Sequence, residues 1–111
     1  MQENDKAVLI YSTFPSPEAA ETAGTKLVHQ GLAACINIVP GMTSIYIWEG
    51  QLQRDSEAVM VIKTRKSLAD TAIAKAKRHH PYDNPAFVVL PVEGGSADFL
   101  RWITEQTADK R

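Results

Sequence analysis

Two periods alternate along this chain. Stretches with period two, rich in β-branched and aromatic residues, read as strands, and apolar stripes at helical spacing read as helices. Residues 7–13, AVLIYST, form a first strand, and the polar residues 1–6 ahead of it are expected to fray. Ser16 then caps a first helix, with Pro17 at its first position and Ala19, Ala20, Ala23, Leu27 and Val28 as its apolar stripe. Gly31 is the natural stop, because a left-handed residue after a helix costs glycine little.

Residues 31–50, GLAACINIVPGMTSIYIWEG, carry extended-type residues nearly throughout. Ala34, Ile36 and Ile38 point one way and Ala33, Cys35 and Val39 the other, so both faces are apolar. Pro40-Gly41 interrupts the run without ending it, which predicts one long kinked strand. Eighteen extended residues reach roughly 55–60 Å before the kink is allowed for, whereas a domain of this size has a radius of gyration of about 13 Å. The strand is expected to project beyond its own domain.

Glu49-Gly50 supplies a turn, and residues 51–64 return as a third strand with an apolar centre at Ala58, Val59, Met60, Val61 and Ile62. Ser67 and Asp70 resemble a capping box ahead of a second helix marked by Leu68, Ala72, Ile73 and Ala76. Lys75, Lys77, Arg78 and His79 crowd its last turn, where positive charge favours the helix dipole, and His80-Pro81 breaks it. Residues 82–86 form a turn and 87–92 a fourth strand. Ser96 caps a final helix bearing Phe99, Leu100, Trp102 and Ile103, and the polar tail begins at Thr107. The order β-α-β-β-α-β plus a terminal helix is the ferredoxin-like, α+β plan in a single domain spanning residues 1–111. Right-handed crossovers put the first two helices on one side of the sheet. Apolar side chains on the bare side then require a cover from sister subunits.

Composition narrows the classes. With 12 basic against 13 acidic residues the net charge is −1, which gives no pull toward nucleic acid or anionic membrane. One cysteine forbids an internal disulfide and fits a reducing, cytoplasmic setting. The first apolar run is too short for a signal-peptide core, and no run is long enough to span a membrane.

The motifs LAAC at 32–35, Pro40-Gly41, SIY at 44–46, WEG at 48–50, IKT at 62–64, HPY at 80–82, Pro85 and Trp102-Ile103 resemble, in order and spacing, the CutA divalent-cation tolerance family. The resemblance covers nearly the whole chain. It implies a ferredoxin-like subunit in a homotrimer similar in architecture to PII-type signalling proteins, a cytoplasmic location, and a link to copper and other divalent cations. Two positions depart from the family pattern. Ser12 stands where some members have a cysteine, and Ala86 where an acidic residue is usual.

His79 and His80 are the candidate metal ligands, since imidazole suits copper and zinc and three subunits can pool donors at an interface. The competing reading is a helix C-terminus with cationic dipole partners. Tyr46, Trp48, Glu49 and Tyr82 are the candidate interface residues, aromatics being common anchors there; a small-molecule pocket between subunits, with Tyr82 and Asp83 from a neighbour nearby, is the alternative. Cys35 reads as a small core residue, and Gly94-Gly95-Ser96 as a loop and cap. No GxSxG, P-loop, HExxH or CxxC pattern occurs, so the expectation is a binding protein rather than an enzyme, an uncharacterised hydrolase being the other enzyme reading. RNA-recognition modules share this element order, but the aromatic RNP1 pattern is missing. A metal-independent structural or signalling trimer is the remaining class.

Overall fold

The structure, a computed structural model, describes residues 5–107. Its elements are β1 (Ala7–Phe14), α1 (Pro17–His29), β2 (Cys35–Trp48), β3 (Gln51–Arg65), a 3-10 turn (Lys66–Leu68), α2 (Ala69–Lys77), β4 (Phe87–Pro91) and α3 (Ala97–Gln106). The strands form one antiparallel sheet in the order β2-β3-β1-β4, the ferredoxin-like arrangement.

Alternation sorts the strand residues onto two faces. Val8, Ile10 and Phe14 from β1 and Met60 and Ile62 from β3 form the core with Ala20, Ala23 and Leu27 of α1 and Ala69, Ala72 and Ala76 of α2. Alanine-rich faces let both helices lie close to the sheet. Val28, read as part of the α1 stripe, is exposed, because its step from Leu27 turns it about 100° off the buried line. Ser16 caps α1 as expected, its hydroxyl accepting from the Ala19 amide at 3.1 Å.

On the other face lie Leu9, Tyr11, Val59 and Val61, with Val39, Val88 and Leu90 toward its margins. α3 crosses part of this face: Lys63 sits 5.1 Å above the Phe99 ring, and Ile103 is buried.

The long ribbon is real but starts later than its sequence suggests. Gly31 (φ 72°) takes the left-handed position after α1. The amides of Gly31, Leu32 and Ala33 turn back to carbonyls of Val28 and Leu27 at 3.1, 2.9 and 3.3 Å. Residues 31–33 are therefore spent on closing the helix, and the Ala34 amide is the first to reach β3, at the Lys63 carbonyl 2.8 Å away. The remaining strand of 14 residues matches the 46 Å long axis of the molecule, not the longer reach expected.

Pro40-Gly41 is a β-bulge. Val39 pairs with Val59 and Met42 with Glu57, so three steps on β2 answer two on β3. A one-residue slip exchanges the faces. Tyr46 and Trp48 thereby join the face of β3 that carries Gln53, Asp55 and Glu57. Glu49 (φ 50°) and Gly50 (φ 80°) then close a two-residue hairpin turn.

Two capping expectations change. Ser67 does not cap α2; its amide and hydroxyl both bond the Asp5 carboxylate at 2.9 Å, and the helix starts without a side-chain cap. Asp5 is in consequence held rather than frayed, also receiving Arg65 at 3.1 Å. Ser96 is the N-cap residue of α3 but makes no capping bond through its side chain. Thr107, assigned to the polar tail, is buried and bonds the Ile103 carbonyl at 2.7 Å. The rest of the tail and residues 1–4 lie outside the described residues.

Candidate functional site

α2 ends in a tight turn, with the His79 and His80 amides donating to Ala76 and Lys77 carbonyls at 3.0 and 3.1 Å. Pro81 prevents further helix, and the His80 side chain swings toward the end of β1. Its Nε2 lies 2.7 Å from the Thr13 carbonyl, and its Nδ1 receives the Tyr82 amide at 3.2 Å. A carbonyl only accepts and an amide N–H only donates, so the ring is the neutral tautomer with its proton on Nε2. Phe14, Tyr82 and Phe87 surround it, with ring centroids 4.2, 4.8 and 5.9 Å away. Burial pushes the His80 pKa below the usual imidazole value, outweighing the upward pull of the Thr13 carbonyl and Glu57.

Turned in this way, the loop after α2 brings Tyr82 over β3, where its hydroxyl donates to Glu57 at 2.7 Å. Glu57 is only 7% exposed. Two residues away on the same face, Asp55 accepts the hydroxyl of Tyr46. Tyr82 is driven well above an ordinary phenol, first by burial and then by Glu57; Tyr46 is raised chiefly by its bond to Asp55. Each phenol spends its single proton on a carboxylate. Neither carboxylate has a cationic partner among the described residues. The cluster therefore offers acceptors, suited to a donor-bearing or positively charged group.

The residues expected to act together are only partly assembled. Tyr46 and Tyr82 come together within one subunit, Tyr46 lying near enough to influence Tyr82. Trp48 and Glu49 sit exposed at the ribbon tip, and Asp83 is exposed. Cys35 makes one weak contact, 3.9 Å to the Asn37 side-chain oxygen. A shallow depression of about 330 Å³ beside Val28, His29 and Gln106 shares no residue with the cluster. Sequence reasoning passed over Asp55, Glu57 and the Thr13 carbonyl. The alternation Gln53, Asp55, Glu57 was a visible signal of one polar strand face, but the link to Tyr82 exists only once the sheet is built.

The family model for CutA1 divalent ion tolerance protein matches residues 8–106. The chain belongs to this family. The divalent-cation tolerance protein CutA of Thermus thermophilus is 42% identical over 103 residues, covering 93% of this chain and 98% of that protein. The chloroplastic protein CutA of Arabidopsis thaliana is 42% identical over 96% of this chain; the match spans 60% of the plant protein's length. The crystal structure of CutA1 from Oryza sativa superposes with a TM-score of 0.91 at 38% identity, covering 98% of this chain and all of that one.

The family's link to divalent ions puts weight on His79 and His80, and the geometry separates them. A cation at His80 would have to displace the Thr13 carbonyl or the Tyr82 amide. His79 is partly exposed and its pKa is lowered by loss of water and then by Lys26, Lys75 and Arg78, a field that repels a cation. No group of three His, Cys, Asp or Glu side chains suited to a metal occurs among the described residues. Ser12 is buried beneath the sheet face. Within one subunit these side chains do not fit a copper or zinc ion. No helix among the described residues is long and apolar enough to cross a membrane.

Proposed function

We propose that this divalent-cation tolerance family member works in the cytoplasm as a homotrimer that binds a small-molecule ligand at the ribbon base, where subunits meet, and performs no chemistry of its own. The sheet face away from α1 and α2 carries this reading. Val39, Val88 and Leu90 there are 54, 51 and 43% exposed, and past the bulge, on the opposite face of the ribbon, Ile45, Ile47 and Leu52 are 65, 64 and 70% exposed. Burying a side chain of this kind is worth about 1.5–3 kcal/mol, and apolar surface left open on both sides of a projecting ribbon marks an interface. A ribbon that spans the long axis of the subunit supplies the cover when a second and third copy are present. Binding is preferred over catalysis because the one imidazole inside the cluster has both nitrogens committed and faces no nucleophile.

Light scattering on the purified chain tests assembly: the expected mass is three times 12.2 kDa. A mass of one chain at micromolar concentration overturns the proposal. Trp48→Ala should weaken assembly, and an intact trimer with unchanged melting would remove Trp48 from the interface.

A second reading, in which the trimer holds copper or zinc, draws on the accessible His79 and on donors pooled from neighbouring subunits. Isothermal titration of wild type and His79→Ala with zinc chloride decides it; identical curves dispose of that site.

A further inference from the structure

We propose that His80 is a positioning residue, which holds Tyr82 on Glu57, and not a divalent-cation ligand. The proposal deepens the binding-site reading above and rests on it for the site's importance, though not for the geometry. Three observations carry it. Both ring nitrogens are already used, Nε2–H by the Thr13 carbonyl at 2.7 Å and Nδ1 by the Tyr82 amide at 3.2 Å. The ring lies between Phe14 and Tyr82, its centroid 4.2 and 4.8 Å from theirs, so it has no free edge to turn outward without unpacking the end of β1. The amide it captures belongs to the residue whose hydroxyl meets Glu57 at 2.7 Å.

Thr13 is the penultimate residue of β1, and Glu57 lies on β3 just beyond the last β1–β3 register pair, Phe14 with Ala58. His80 thus ties the loop after α2 to a fixed point of the sheet. From there Tyr82 spans the short remaining distance to the carboxylate. Without the imidazole, the loop has lost both its anchor on β1 and the acceptor for its own amide. A metal ligand has the opposite requirement: one nitrogen must be free, and the other bond merely orients the ring. His80 has no nitrogen to give.

The test uses the whole protein labelled with 15N-histidine at neutral pH. Long-range proton–nitrogen spectra report the tautomer of each of its three imidazoles, assigned with His29→Ala and His79→Ala. The expected result is one neutral imidazole protonated on Nε2, unchanged when zinc chloride is added in excess. Zinc-induced change at either His80 nitrogen overturns the proposal. A second measurement, amide exchange at Tyr82, separates positioning from general packing. His80→Asn keeps an oxygen near Nδ1 and can still accept the amide. His80→Gln keeps a donor near Nε2 but loses that acceptor. Tyr82 should exchange about tenfold faster in His80→Gln than in His80→Asn, the change expected for one ordinary hydrogen bond. Equal exchange in the two variants overturns the positioning role. Should either variant fail to fold, the zinc spectra of the wild type decide alone. Light scattering on the same sample reports assembly separately, so a failed trimer and a failed role for His80 give different results.

Discussion

Tyr82 and Glu57 are 25 residues apart in the chain, yet the phenolic hydroxyl donates to the carboxylate at 2.7 Å. The bond joins the loop after α2 to the base of the ribbon, and Glu57 is buried there with no ion-pair partner among the described residues. A buried carboxylate depends on whatever donors it has. Tyr82→Phe removes this one while keeping the ring, and should cost about 1–3 kcal/mol in denaturant unfolding. Combined with Glu57→Gln the loss should be clearly less than the sum, because the two changes remove one shared interaction. Additive losses would mean that the pair is not coupled.

Gly24 lies mid-helix on the buried face of α1, where glycine is normally a weakness worth about 1 kcal/mol relative to alanine. Here the usual remedy fails. A Cβ at this position would stand 2.9 Å from Ile36 Cγ2 and 3.2 Å from the Met60 sulfur. The Ile36 branch is stiff, so the helix must move away from the sheet. Overpacking of this kind costs about 1–3 kcal/mol, which exceeds the gain in helix propensity. Gly24→Ala should lower the melting temperature; a rise would show that α1 can shift freely.

What the sequence disclosed was what depends on near neighbours. The β-branched and aromatic run AVLIYST, and the apolar run at the centre of β3 with the Glu49-Gly50 turn ahead of it, located strands within a residue of their observed ends. Ser16-Pro17 located the start of α1. The kink at Pro40-Gly41 was legible as a proline in a strand pattern. Its consequence was not, because the exchange of faces that puts Tyr46 beside Asp55 needs the register against β3. Ser67 failed as a cap for a similar reason: a carboxylate 62 residues earlier competes for its hydroxyl. The histidine pair was visible as candidate chemistry. Only the position of Thr13 reveals that one member is fully engaged.

Ser12 is completely buried between Met60 and Phe87 in the sheet register, and its hydroxyl has no hydrogen-bond partner among the described residues. An unmet buried hydroxyl costs about 1–3 kcal/mol, while the cavity left by removing one oxygen is small. Ser12→Ala should therefore be neutral or stabilising by up to about 1 kcal/mol in thermal or denaturant unfolding. A clear loss of stability would show that the hydroxyl has a partner in the assembled protein.

Asp5 offers a test by pH. Burial raises its pKa, but the Ser67 amide and hydroxyl and the Arg65 guanidinium lower it more, so the folded value lies below the ordinary 3.8. In acid the unfolded chain then binds this proton at a pH where the folded chain does not, and stability rises with pH across that window. The contribution is complete once the pH is well above 3.8 and is lost as the pH falls through the folded value. Asp5→Asn removes the titration together with the ion pair to Arg65, which is 3.1 Å long and largely shielded from water. The variant should be less stable than the wild type at neutral pH, and the gap should shrink as the solution is acidified through 3.8, where the unfolded chain takes up this proton, and on through the lower folded value. Unfolding curves collected from neutral pH into acid read this directly. No gap at neutral pH would mean that Asp5 contributes through hydrogen bonds an amide can replace, with its charge playing no part.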